Sequence, residues 1–179
     1  MIQNGLHFGH SRQVWNPKMT PYIYMESNNI HIIDLIQTYS HLKQVLRFLA
    51  NSAAQGKTIL FVGTKRQSSK LVAKIAKSCQ SFFVTERWLG GLLTNWSTVQ
   101  KSIAKLNDLE FQEKNNSFHG LPKKEIIKLK KEKNRLNKYL GGLKRMRSVP
   151  DILIIIDQKK EINAVLECKK LGLRSITIL

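Results

Sequence analysis

Pro150-Asp151-Ile152-Leu153-Ile154-Ile155-Ile156-Asp157 sets five aliphatic residues in a row between two aspartates. A run so short, and apolar at both odd and even positions, reads as a strand covered on both faces. Such strands belong to parallel sheets held between helical layers. The segments on either side repeat the theme. Lys57-Thr58-Ile59-Leu60-Phe61-Val62-Gly63 is a second buried-strand run, followed by Thr64-Lys65-Arg66 and a helix from Ser68 to about Lys77. Phe82-Phe83-Val84 reads as a further strand. After Asp157, a helix over Glu161 to Leu171 stops at Gly172, and Ser175 to Leu179 forms a last strand. Upstream, Ile30-His31-Ile32-Ile33 reads as a strand and Asp34 as a helix cap. Leu35 to Ala54 is then a helix, with Leu42, Val45, Leu46 and Leu49 on its buried side. Strand and helix in alternation predict a three-layer α/β/α domain. The chain stops on a strand with no covering helix, as a short version of the fold, or one lacking a carboxy-terminal piece, would.

Thr98 to Arg147 breaks that alternation. It carries fourteen Lys/Arg against five Asp/Glu, a net of +9, half of the chain's +18. Val99, Ile103 and Leu106 step by four and three. Leu129, Leu136 and Leu143 step by seven, with Ile126 and Leu140 beside them. One apolar seam on each arm predicts an antiparallel helical hairpin. Its turn lies in Asn115-Asn116-Ser117 and Gly120-Leu121-Pro122, with Pro122 suited to the first turn of the second helix. The expected organisation is a body of residues 1–97 and 148–179, including an irregular amino-terminal arm, with the hairpin 98–147 inserted.

Thirty basic residues against twelve acidic ones, at pI about 10.1, call for a polyanionic partner, nucleic acid before an anionic membrane surface. The longest aliphatic run, Ile152 to Ile156, is far short of the roughly 20 residues that cross a bilayer. Cys79 and Cys168 form no Cys-x-x-Cys pair and are read as two unpaired thiols in a reducing compartment.

Motifs for catalysis are thin. Gly56-Lys57-Thr58 resembles the end of a P-loop, but it enters a strand instead of leaving one, and Asn51 stands where the first glycine belongs. Val62-Gly63-Thr64-Lys65-Arg66 does lie at a strand-to-helix turn, with one glycine and no dinucleotide spacing. His7 and His10 lack a matching carboxylate or thiol, so no metal is expected. No nucleophile–histidine pair or carboxylate pair emerges. The irregular opening, with Leu6-His7-Phe8-Gly9-His10, Arg12, Trp15-Asn16-Pro17-Lys18 and Pro21-Tyr22, mixes aromatic and basic residues that can stack on bases or pair with phosphate, or else plug a core edge. Glu86-Arg87-Trp88-Leu89-Gly90-Gly91-Leu92-Leu93-Thr94-Asn95-Trp96 sets two tryptophans around a diglycine. It reads as a tight corner or a close approach to RNA, with Thr94 and Asn95 as caps for the first hairpin helix.

At these residues the chain resembles the ribosomal small-subunit protein two family, bacterial and organellar type. The matching segments are Gly5 to His10, Trp15 to Met19, Gly56-Lys57 with Val62 to Lys65, and Arg87 to Gly91 with Leu93-Thr94-Asn95. Lys138 to Lys144 and Pro150-Asp151 complete the set. They follow the family's order along nearly the whole chain. Departures are the few residues that usually precede Gly5, Arg174 in place of a small residue or proline, and the family's last strand and helix. The resemblance implies a flavodoxin-like α/β/α sheet with an inserted hairpin, bound to small-subunit rRNA near the junction of head and body. It implies neighbouring small-subunit proteins, among them the subunit's large RNA-binding protein one where that exists. It implies no enzymatic activity, cofactor, small-molecule substrate or membrane. Asp157-Gln158 and Leu121-Pro122-Lys123-Lys124 are similar to plastid members, so the expected setting is the ribosomes of the chloroplast stroma, with a bacterial cytoplasm or mitochondrial matrix as alternatives.

The residues expected to meet RNA are His10, Arg12, Trp15, Lys18, Lys65, Arg66, Arg87 and Asn95, with Lys128, Lys131 and Arg135 on the second arm. Two other functions compete: a nucleotide-binding α/β enzyme using Gly63 to Arg66, and a basic hairpin adaptor for acidic proteins.

Overall fold

The computed structural model describes residues 1–115 and 122–178. The expected hairpin turn at Asn116-Ser117 and Gly120-Leu121, and the last residue Leu179, lie outside them. The chain divides into two compact units, Met1–Gln55 and Gly56–Leu179.

In the first unit, β1 (Phe8–Ser11), β2 (Ile23–Ser27) and β3 (Ile30–Ile33) form an antiparallel sheet in the order β1-β3-β2. The expected irregular arm thus contains two strands, and Ile30–Ile33 belongs to this sheet and not to the parallel one. Register shifts between Phe8 and Ser11, and between Ile23 and Met25, break the period-two pattern that would have revealed the strands. Asn28 and Asn29, at φ +50° and +60°, form the two-residue turn joining β2 to β3, a left-handed conformation asparagine tolerates well. Helix α1 (Leu35–Ala54) follows, capped by the Asp34 carboxylate, which accepts the Ile36 and Gln37 backbone N–H groups at 2.8 and 3.3 Å. The apolar face expected to be buried is largely open: Leu42 and Leu46 are exposed, and Val45 and Leu49 half-buried.

The second unit carries the parallel sheet. Its strands are β4 (Ile59–Val62), β5 (Phe82–Val84), β6 (Ile152–Ile156) and β7 (Arg174–Ile178), in the order β5-β4-β6-β7. The chain moves outward from β4 to β5, returns to β6, and moves outward again to β7. The order therefore reverses between β4 and β6, as in doubly wound three-layer folds. Around it lie α2 (Arg66–Ser78), α3 (Trp96–Lys114), α4 (Lys123–Leu140) and α5 (Ile162–Lys170). Leu60, Leu153 and Ile155 are fully buried, each contributing on the order of 2 kcal/mol. They join one core with Trp88, Leu93, Leu143 and Cys168.

The starts of the two central strands are pinned together. The Asp151 carboxylate accepts the Thr58 backbone N–H at 2.8 Å and its hydroxyl at 2.9 Å, and the Asp151 N–H donates to the Thr58 carbonyl at 3.0 Å. The Thr58 backbone and hydroxyl donors hold the Asp151 carboxyl below the ordinary aspartate range. Thr58, the end of the P-loop-like triplet, is thus part of a strand clasp.

Candidate nucleic-acid interface

Between β5 and α3 the chain turns a corner at the diglycine. Trp88 points inward, 5% exposed, and Gly91 adopts φ +83°, a conformation that would strain a residue with a side chain. The corner is held from α5. The Glu167 carboxylate accepts the Trp88 indole N–H at 3.0 Å and the Gly91 N–H at 2.8 Å on one oxygen. Its other oxygen accepts the Leu93 and Thr94 N–H groups at 2.9 and 3.1 Å and the Thr94 hydroxyl at 3.3 Å. Partial burial alone would push this carboxyl upward. The Trp88, Leu93, Thr94 and Gly91 donors outweigh it and hold the group below its ordinary range. Burial first, and then the neighbouring Glu167 charge, pushes the Cys168 thiol up to about 11.

Thr94 is thereby engaged by Glu167. Asn95 stands at the cap position of α3 without a side-chain bond to the helix backbone; its carboxamide oxygen accepts the Thr98 hydroxyl at 2.9 Å. The capping expected of these two residues is not what they do.

At the strand-to-helix turn after β4, the Thr64 N–H donates to the buried Glu161 carboxylate at 3.3 Å, and the Thr64 hydroxyl donates to the same oxygen. An amide that a nucleotide phosphate would need in this turn is occupied by the protein's own carboxylate. Lys65 pairs with Asp157 at 3.4 Å. Arg66, the first residue of α2, instead faces an open cleft of about 450 Å³ at the carboxyl edge of the sheet, with Arg87 and Lys160 also in its wall. Neither arginine forms an ion pair among the described residues. These uncompensated guanidinium groups beside a helix amino terminus attract anions.

The helices α3 and α4 pack together as the hairpin's arms, with Ile103, Leu106 and Leu140 buried and Leu136 packed against that cluster. Lys105 pairs with Glu132 across the arms, and Lys133 with Glu113. Hydrogen bonding to Lys105 holds the Glu132 carboxyl below its ordinary range. Lys128, Lys131 and Arg135 are all exposed, and their spacing of three and four puts them on one stripe of α4.

In the first unit, His10 on β1 is exposed. Arg12 is exposed too and lies 3.7 Å from Glu26. Lys18 sits in the short 3-10 turn Pro17–Tyr22, where its backbone N–H donates to the Asn16 side chain at 3.0 Å. Trp15 is half-buried, its ring 4.7 Å from that of His31.

The structure brings Arg66 and Arg87 to one cleft and aligns Lys128, Lys131 and Arg135. Sequence reasoning missed Lys160 beside the first pair, and the two carboxylates, Glu161 and Glu167, that set the local geometry. With only twelve acids in the chain, two of them six residues apart, one at the cap of α5 and one within it, were the available signal.

A family model described as Ribosomal protein S2 matches residues 1–179. "Small ribosomal subunit protein uS2c" of Oltmannsiellopsis viridis is 59% identical over 179 residues, covering 100% of this chain and 75% of the relative. The protein of the same name in Chlorella vulgaris is 52% identical, with 100% and 67% covered. "Small ribosomal subunit protein uS2" of Nostoc punctiforme is 48% identical, with 100% and 68% covered.

Proposed function

The chain belongs to the ribosomal protein S2 family, and from that premise we propose how its basic surfaces serve the ribosome. It is a structural, non-enzymatic constituent of the small ribosomal subunit that binds small-subunit rRNA, in a complex with that RNA and other ribosomal proteins. The match of the family model to residues 1–179 carries this conclusion. It sets aside the nucleotide-binding enzyme and the adaptor, and the Thr64–Glu161 contact adds a physical reason against the former.

Positive charge on the hairpin stripe of Lys128, Lys131 and Arg135 neutralises rRNA phosphate, as do Arg66 and Arg87 at the sheet edge. His10, Arg12, Trp15, Lys18, Lys65 and Asn95 complete the RNA-contacting set. What supports this reading is exposure of most of these groups on a chain of net charge +18. The hairpin 98–147 acts as the anchor, inserted in the body 1–97 and 148–179 as a mount. Neighbouring proteins include the large protein one of the subunit where it exists. The setting is a plastid ribosome, a reading supported by the uS2c relatives at 59% and 52% identity beside a cyanobacterial one at 48%.

Gradient sedimentation of lysate containing the tagged chain tests the assignment. The chain is expected with small-subunit particles and to leave them as salt is raised, because each neutralised phosphate rebinds counterion. A chain that stays at the top of the gradient at low salt would overturn it.

A further inference from the structure

The cleft of Arg66, Arg87 and Lys160 has a neighbour. A second one, about 280 Å³, opens between the end of β5 and the end of α4, with Phe83, Tyr139, Lys77 and Lys138 in its wall. Thr85 lines both, so the two adjoin at the carboxyl end of β5. Their chemistries differ. The first offers cations and the amino terminus of a thirteen-residue helix. The second offers aromatic rings with ammonium groups over them: Lys77 Nζ is 5.8 Å from the centre of the Phe83 ring, and Lys138 Nζ is 5.8 Å from that of Tyr139.

We propose that the two clefts form one groove for an unpaired stretch of RNA, a backbone phosphate seated by Arg66, Arg87 and Lys160 and an adjacent base laid against Tyr139 and Phe83. This rests on the rRNA-binding reading above and names the form of RNA taken at the sheet edge. Phosphate and base alternate along a single strand as cationic and aromatic walls alternate here, and a flat ring stacks on any base whatever its sequence. An A-form duplex keeps its bases stacked and paired and offers such a site only backbone. The acids in the walls are already matched: Glu161 accepts from Thr64, and Glu86, in the first cleft, pairs at 3.6 Å with Lys138, in the second. The second wall is closely packed. A Cβ on Gly142 would stand 2.1 Å from the Phe83 carbonyl oxygen, so the 3-10 turn Gly141–Leu143 that follows α4 lies flush on β5.

The test uses the full chain and a labelled eight-nucleotide oligouridylate, followed by fluorescence anisotropy at low salt, with an RNA duplex of equal length and free uridine monophosphate as the other arms. Tyr139→Leu, which keeps a packing side chain, is expected to weaken the single strand about tenfold and leave the salt slope unchanged. Tyr139→Phe is expected to restore binding. Arg66→Ser with Arg87→Ser is expected to flatten the log–log salt slope by about 1.4. The duplex should not respond to Tyr139→Leu, and uridine monophosphate should not compete. Unchanged single-strand affinity in a folded Tyr139→Leu protein, equal sensitivity of the duplex, or saturation by the mononucleotide each overturns the groove. Ultraviolet crosslinks in intact particles that map to Phe83 or Tyr139 support it. Wild-type chain that joins the particle without such crosslinks overturns the groove alone; failure to join the particle overturns the ribosomal reading as well.

Discussion

The Glu167 carboxylate and the Trp88 indole, 79 positions apart in sequence, meet in a 3.0 Å hydrogen bond, the first of five by which one side chain fixes the corner before the hairpin. Glu167→Gln keeps the shape but turns an amide NH₂ toward groups that, the Thr94 hydroxyl apart, only donate. The loss is expected to be about 2 kcal/mol, a drop of about 4–8 °C in melting temperature for a chain of this size. Circular dichroism measures it, and tryptophan emission should shift to the red as Trp88 meets water.

Acid should erase that difference. The Glu167 carboxyl is held below its ordinary range when folded, so its stabilisation is complete above the unfolded value of about 4.3 and fades as pH falls through the lower folded value. Asp151, held down by Thr58, behaves alike. Urea unfolding should show the gap between wild type and Glu167→Gln widest near neutral pH and closing as pH falls through the lowered folded value. A gap that widens with acid would reverse the sign of the argument.

Two glycines should respond differently to alanine. At Gly142 the added methyl collides with the Phe83 backbone, and a cost of about 3 kcal/mol or more is expected. At Gly90 nothing lies within 4 Å of the added carbon, so a change within about 0.5 kcal/mol is expected. Denaturation midpoints of the two variants decide the matter.

Reversing Lys131 and Arg135 to glutamate alters exposed groups only. Incorporation into small-subunit particles is expected to fall several-fold at physiological salt while the melting temperature moves by no more than about 2 °C. Normal incorporation of this double variant would remove the hairpin stripe from the RNA contacts.

The parallel sheet was legible because β6 is apolar on both faces, and only a strand with neighbours on each side and helices above and below satisfies that. The structure pairs Ile152 to Ile155 with β4, and the whole of β6 with β7. The hairpin's arms were legible from Ile103, Leu106 and Leu140, which do pack together. The antiparallel sheet was not, because its register shifts scramble the alternation that marks a strand. In α1 the apolar stripe was visible, but a stripe does not say what covers Leu42 and Leu46. At the sheet edge, the arginines were found through their charge. Glu167 left only a faint trace, an acid six residues after Glu161 in a chain poor in acids, since most of its donors are backbone N–H groups that any residue supplies.

The donors of the corner precede Glu167 by 73 to 79 positions. A nascent chain emerging amino terminus first therefore carries the diglycine loop unclasped until α5 leaves the exit tunnel. Translation products ending before that helix therefore lack the carboxylate that clasps the corner beside Arg87.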